Sequence, residues 1–246
     1  MYGTRLAADG WQEEYSTMLI RLGFTQGVGH PNVFRHSGRD IFCSVHGDDF
    51  TSAGPSKELD WMEGEISKEY EITIAPRMGP GPDDAKEGRA LNRVIKWHAD
   101  KLTYEADPRQ AERLIHECGM EGAKPVNTAG AKVTFSDHEN DIELPTKLHT
   151  AFRAAAARSN YLSADRIDTM FAAKEICRYM SKPGGVSWRA LKRLARYLNG
   201  KPRLVYSYPL QEAQKIDVYT DTDWAGCART RKSTSGGCIM LGAHTI

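Results

Sequence analysis

Apolar side chains at Trp11, Tyr15, Met18, Leu19 and Leu22 recur three and four residues apart, the period of a helix with one buried face. Gly23 follows as a stop, so the spacing predicts a helix over 11–22. Segments 32–36 and 41–46 flank Ser37-Gly38-Arg39-Asp40 and predict two strands joined by a turn. Gly47-Asp48-Asp49 interrupts, and 50–53 resumes as a strand. Leu59, Met62, Ile66 and Tyr70 predict a second helix that opens near Pro55-Ser56. Segment 71–75 is strand-like and 76–82 is a turn-rich loop. A strand pair at 94–97 and 102–105 precedes a helix over 108–117, closed by Gly119. After a loop-rich 122–144, helices are expected near 147–159, 162–181 and 187–199, then strands at 203–208, 216–220 and 237–241. No internal repeat is present.

This order, strands then helices then strands, predicts an α+β fold. The last two strands are too few for an independently stable sheet, so the expectation is a chain that stops inside its final domain. In 246 residues, 40% apolar and 26% charged, neither a collagen nor a disordered chain is encoded. No apolar run approaches the ~18 residues of a membrane span, which predicts no membrane partner. Residues 1–11 lack the charged-then-apolar pattern of a signal peptide, which points to an intracellular place, cytoplasmic or nuclear. Five widely spaced cysteines without a Cys-x-x-Cys pair argue against a disulfide framework or a zinc site and fit a reducing compartment.

The net charge of +1 gives no whole-chain reason to bind nucleic acid. Its distribution is uneven. Residues 151–204 carry twelve Lys or Arg against three Asp or Glu, whereas 51–150 carry thirteen against nineteen. Trp188, Leu191, Leu194 and Leu198 define a buried helix face, which leaves Arg189, Lys192, Arg193 and Arg196 largely on the others. Such a block can follow a phosphate backbone or can be a solvated basic face.

Asp48 and Asp49 sit side by side after an apolar strand. At a tight turn two such carboxylates can converge on a hard cation. Gly-Asp-Asp is equally ordinary turn chemistry, because Asp bonds its own backbone there. His98, His116, His138 and His149 show no ligand spacing and read as surface or capping residues. Ser233 and Ser235 have no partner His and read as turn residues, and Trp224 reads as a core or edge aromatic.

Several segments, in order, resemble the reverse transcriptase of copia-type retrotransposons. Residues 1–11 (MYGTRLAADGW) are similar to that family's "LYGLKQAPRAW", followed by Gly23-Phe24 where the family has "GF". His46-Gly47-Asp48-Asp49 occupies the place of the "YVDD" box. Residues 104–120, ending HECGM, are similar to "Y…LLERFGM", and 161–168 (YLSADRID) to "YLTHTRPDI". Residues 188–200 (WRALKRLARYLNG) resemble "WQALKRILRYLKG". Asp221-Thr222-Asp223-Trp224-Ala225-Gly226 and RKSTSGG at 231–237 resemble "DADWAGD…RKSTSGY", the opening of the family's ribonuclease H domain. The last two matches are highly specific, and the match spans nearly the whole chain.

The resemblance implies a partial polymerase palm at 1–75, a thumb-like region at 76–150, a basic helical connection at 151–208 and the first strands of a ribonuclease H-like sheet at 209–246. Asp48 and Asp49 would be the palm carboxylates that hold catalytic Mg²⁺ or Mn²⁺, and Asp221 the first metal-binding carboxylate of ribonuclease H, with Asp223 a lesser candidate on the same strand face. Arg5 and Gly47 would border the incoming nucleotide and template. Arg189, Lys192, Arg193 and Arg196 would face the backbone of an RNA or DNA template–primer duplex. Deoxynucleoside triphosphates and the rest of the Pol polyprotein complete the implied partners.

The family's Gln, Pro and Arg are Leu6, Ala8 and Asp9 here, and the Tyr and Val of its box are His46 and Gly47. A third polymerase carboxylate lies, in the family, on a strand before the segment that matches 1–11. The expectation is therefore that this polypeptide alone neither synthesises DNA nor cleaves RNA. Two rivals stand beside this reading: a catalytically dead remnant that binds nucleic acid through its basic helices, and a Gly-Asp-Asp RNA-dependent RNA polymerase. The ribonuclease H-like tail argues against the latter.

Overall fold

The structure, a computed structural model, describes residues 4–227 and 230–246, so Met1, Tyr2 and Gly3 of the first matched segment lie outside the described residues. It divides into two compact units, Met1–Pro76 and Arg77–Ile246.

In the first unit, helix α1 (Arg5–Arg21) is opened by Thr4, whose hydroxyl accepts the Ala7 N–H. It closes at Gly23 (φ +94°): the Gly23 N–H bonds the Ile20 carbonyl and the Phe24 N–H the Leu19 carbonyl. This is a Schellman stop, which needs a residue that tolerates positive φ. Strands β1 (Thr25–Gln26), β2 (Val33–His36), β3 (Ile41–His46) and β4 (Asp49–Ala53) form one antiparallel sheet in chain order. Helix α2 (Ser56–Ile66) follows. Burial alternates strictly along β3, with Ile41, Cys43 and Val45 inward and Phe42 and His46 exposed. The inward residues meet Tyr15, Met18 and Leu19 of α1, Phe34 of β2, and Leu59, Met62 and Ile66 of α2. One sheet face is thus covered by two helices.

In the second unit, β5 (Glu87–Ala90), β6 (Arg93–Trp97), β7 (Lys101–Glu105) and β8 (Val205–Pro209) make a second antiparallel sheet. Between β7 and β8 the chain runs through helices α3 (Pro108–Glu117), α4 (Phe135–Glu139), α5 (Thr146–Ser163), α6 (Ile167–Cys177) and α7 (Gly185–Gly200). Helix α3 also ends in a Schellman stop, at Gly119 (φ +62°). Leu114, Phe152, Ala156, Ile176, Leu191 and Leu198 belong to one continuous core. Strands β9 (Ile216–Thr222), β10 (Ser235–Leu241) and β11 (His244–Thr245) form a third sheet, in the order β11-β10-β9.

A charged network joins the ends of these elements. Arg166 is only 1% exposed. Its guanidinium binds both oxygens of Asp168 (2.9 and 2.8 Å) and the carbonyls of Pro202 (3.2 Å) and Lys201 (3.0 Å), just past the end of α7. The Tyr197 hydroxyl donates to Asp168 (2.8 Å). Neighbouring Asp165 holds Arg93 of β6 (3.0 Å) and accepts a hydrogen bond from Tyr104 of β7. Meeting both oxygens of a carboxylate and two carbonyls takes four donors, which Arg with five can supply and Lys with three cannot.

Several expectations need correction. The first helix begins at Arg5, not 11; residues 5–10 have no apolar period to betray them, and Asp9 and Gly10 are poor helix formers, so only the Thr4 cap and Arg5-Leu6-Ala7-Ala8 favour the extra turns. Segment 71–75 forms no strand, although Ile72 packs against the first core. Strand β5 went unread because its turn is Leu91-Asn92, both at positive φ (49° and 66°), without the usual glycine. The helix expected to reach 181 ends at Cys177, and 122–144 contains the short α4. Trp224 is 95% exposed and belongs to no core. Cys43 and Cys118 are buried among apolar neighbours.

Burial pushes the Asp168 carboxyl up, but hydrogen bonds from Arg166 and Tyr197 outweigh it and hold the group below its ordinary value. The folded state then binds fewer protons than the unfolded chain. The resulting stability is complete above the unfolded value near pH 4 and is lost as pH falls through the lower folded value. The thermal midpoint of the second unit is expected to drop below about pH 4, with part of that slope absent in Asp168→Asn. An identical acid slope in Asp168→Asn would contradict this role.

Candidate functional site

The expected acidic pair sits at the β3–β4 hairpin. His46 pairs with Asp49, which leaves Gly47-Asp48 as a two-residue loop. Gly47 has φ +62° and Asp48 a negative φ, the pattern of a II′ turn with Gly first. A Cβ at Gly47 would meet nothing within 4 Å inside the fold, so the glycine answers to backbone conformation rather than internal crowding. A β-branched Val held there would cost about 1–3 kcal/mol. Phe50 pairs with inward Val45, so Asp49 and His46 point to the face away from the helices. Both carboxylates are exposed.

Arg5 lies in the first turn of α1 and forms an exposed i,i+4 pair with Asp9 (3.7 Å). The charge reversal at Asp9 is thus aimed at Arg5 itself, through a contact worth under about 1 kcal/mol. Trp11, six residues after Arg5 on the same helix, sends its indole N–H to the Gly47 carbonyl at 2.7 Å.

Asp221 belongs to the second unit, near the end of β9, paired with Gly236 of β10 and exposed. Asp223 does not share its strand face. It lies past the strand, where its Oδ1 accepts the backbone N–H groups of Thr234 (2.7 Å) and Gly226 (3.2 Å). The Thr234 backbone hydrogen bond is the main reason its pKa falls below the carboxylate range. Asp223 therefore pins the loop that follows β9. Ser233 caps the same loop by accepting the Ala225 N–H (3.1 Å), as a turn residue should. Among the described residues no group of three or more His, Cys, Asp or Glu is placed to hold a metal ion. Two exposed carboxylates fall short of the roughly six oxygen ligands that a hard cation takes.

The basic helix behaves differently from a bare cationic face. Leu191, Leu194 and Leu198 are fully buried, while Trp188 is partly covered. Arg189 is exposed, and Lys192 lies over the Trp188 ring (5.6 Å). Arg193 donates to the Gly130 carbonyl (3.1 Å) and the Thr128 hydroxyl (2.7 Å), and Arg196 to the Lys124 carbonyl (2.8 Å). With Asn199 bonded to the Ala123 carbonyl (2.9 Å), three side chains of α7 hold the loop after α3. Elsewhere in the block Arg158 pairs with Glu117, Arg178 with Glu175 and Arg203 with Glu105. Sequence reasoning placed these cations on the right helix faces. It missed their carbonyl partners, and it missed Trp11 as a donor, because those partners lie 36 to 72 residues away.

Known proteins align with this chain along its whole length. It is 27% identical over 253 residues to the "Retrovirus-related Pol polyprotein from transposon RE2" of Arabidopsis thaliana, which covers all of this chain and 16% of that polyprotein. It is 23% identical over 261 residues to the corresponding polyprotein from transposon TNT 1-94 of Nicotiana tabacum, again across the full chain and 18% of the relative. The "Uncharacterized mitochondrial protein AtMg00810" of Arabidopsis thaliana is 29% identical over 154 residues, 62% of each chain. No family model matches, and no solved structure matches significantly. The homologues of this chain are copia-type Pol polyproteins of LTR retrotransposons, as the motifs suggested. The chain spans about a sixth of the length of the polyproteins it matches.

The double substitution Arg193→Ala/Arg196→Ala is expected to release the 123–130 loop. Hydrogen exchange at those amides should rise at least about tenfold, the loss of roughly 1.4 kcal/mol of local protection. Unchanged protection would contradict the carbonyl contacts.

Proposed function

We propose that this chain is the segment of a copia-type reverse transcriptase that carries the acidic palm hairpin, the helices beside it in sequence, and the opening strands of a ribonuclease H-like sheet. The reaction of the parent enzyme is RNA-templated DNA synthesis. A primer 3′-hydroxyl attacks the α-phosphate of a deoxynucleoside triphosphate, the new P–O bond forms, and pyrophosphate leaves. The observation that carries this reading is the hairpin itself: Asp48 and Asp49 at the tip of a four-stranded antiparallel sheet backed by two helices. The chain's similarity to transposon Pol polyproteins supports it.

In this reading Asp48 and Asp49 contribute carboxylates to a Mg²⁺ or Mn²⁺ centre, Arg5 and Gly47 border the nucleotide, and Asp221 serves the ribonuclease H part. Among the described residues no third ligand joins them, so in this reading the remaining donors come from other parts of a Pol polyprotein. Arg189 and Lys192 are the cations of α7 best placed for a duplex backbone. Arg193 and Arg196 spend donors on the protein's own carbonyls, which weighs against a remnant whose function rests on the basic helices alone.

The test joins this chain to the Pol segment of a relative that carries the third carboxylate and follows primer extension on an RNA template. Incorporation is expected, and Asp48→Asn or Asp49→Asn should lower it at least about 100-fold. Incorporation indifferent to both substitutions would overturn the assignment.

A further inference from the structure

The hairpin tip is held by a side chain from outside the sheet. In a two-residue hairpin loop the strand ladder uses the groups of the flanking residues, here His46 and Asp49. The carbonyl of the first loop residue, Gly47, is left over by that ladder. The Trp11 indole N–H fills the vacancy at 2.7 Å, 36 residues away in sequence.

That bond acts on a peptide unit with two stable orientations. Types II′ and I′ differ by a half-turn of the peptide between the two loop residues. The flip moves the second residue, Asp48, from negative to positive φ. Asp is one of the few residues that tolerates both, so Asp48 does not choose between them by itself. Gly47 is equally permissive. The local sequence therefore leaves the turn undecided, and only the orientation with the Gly47 carbonyl toward Trp11 makes the 2.7 Å contact.

The indole is well anchored for this task. It packs edge-on against Tyr15 (5.7 Å between centroids), Tyr70 (5.3 Å) and Phe50 (6.5 Å), the last of these one residue after Asp49. Such edge-to-face contacts fix the ring plane and hence the direction of its N–H. We propose that Trp11 is the positioning residue of the acidic hairpin: its indole N–H selects one orientation of the Gly47–Asp48 peptide and thereby sets the direction of the Asp48 carboxylate. The consequence for catalysis rests on the function proposed above. The conformational statement does not.

The experiment is heteronuclear NMR on the full chain, with Trp11→Phe and with Trp11 replaced by its benzothienyl analogue. The analogue keeps the fused ring and carries sulfur in place of the N–H. In the wild type one set of resonances is expected for Gly47, Asp48 and Asp49, an Asp48 HN–Hα coupling that reports negative φ, and an indole proton exchanging at least tenfold slower than in free tryptophan. In both variants the core methyls of Ile41, Val45 and Leu59 should hold their shifts. Residues 47–49 should double or broaden as the second orientation becomes populated. A single sharp set with an unchanged Asp48 coupling in the analogue would overturn the proposal. So would an unprotected indole proton in the wild type, even if Trp11→Phe fails to fold. Catalytic indifference to Asp48→Asn would remove the functional reading and leave the NMR outcome to decide the positioning on its own.

Discussion

The two-residue turn at Gly47-Asp48 sets the register on which the first unit depends. Strand side chains alternate with a period of two, so a slip of one residue would turn Ile41, Cys43 and Val45 outward and Asp49 inward. The turn favours the observed register because its first position demands positive φ, where glycine sits at the least cost. The same register that buries the apolar residues of β3 against α1 and α2 therefore delivers Asp49 to the open face and Asp48 to the tip. Core and candidate site are two results of one pairing. Placing charge there asks little of the fold, since neither carboxylate is buried.

The second unit resolves a different conflict. Its helices carry a large excess of positive charge over a short stretch, and cations repel one another. Much of that charge is spent internally. Arg166 is sealed among Asp168 and the last carbonyls after α7, Arg203 pairs with Glu105, and Arg193 and Arg196 take up the carbonyls of a loop that has no ladder of its own. The matched motif around Asp165-Arg166-Ile167-Asp168 thus has a structural explanation: it ties the start of α6 to the end of α7 and, through Asp165, to β6 and β7. A buried ion network of this kind gives little net stability, but losing one partner leaves its mate stranded at a cost of about 3–5 kcal/mol.

Legibility from sequence divided along physical lines. Elements with strong apolar period or a glycine stop were readable: β3, α3 with its Gly119, and the buried face of α7 at Leu191, Leu194 and Leu198. Elements that owe their existence to non-local pairing were not. Strand β5 has neither alternation nor a glycine turn, and it exists because β6 is there to receive it. The acidic pair was legible as a turn and, through the resemblance, as a candidate site. The commitment of Asp223 to backbone amides and the exposure of Trp224 were not, because both depend on how the loop after β9 folds back toward Thr234. The Pol relationship was legible because short motifs keep their order even where overall identity is only 23–27%.

If Asp48 and Asp49 act as proposed, they do so without a third ligand in place: among the described residues no group of three or more His, Cys, Asp or Glu is placed to hold a metal ion. Primer extension by the chain alone, with Mg²⁺ or Mn²⁺ and a primed RNA template, tests it most directly. No incorporation above background is expected. Nucleotide incorporation by the isolated chain that disappears in Asp48→Asn would contradict it.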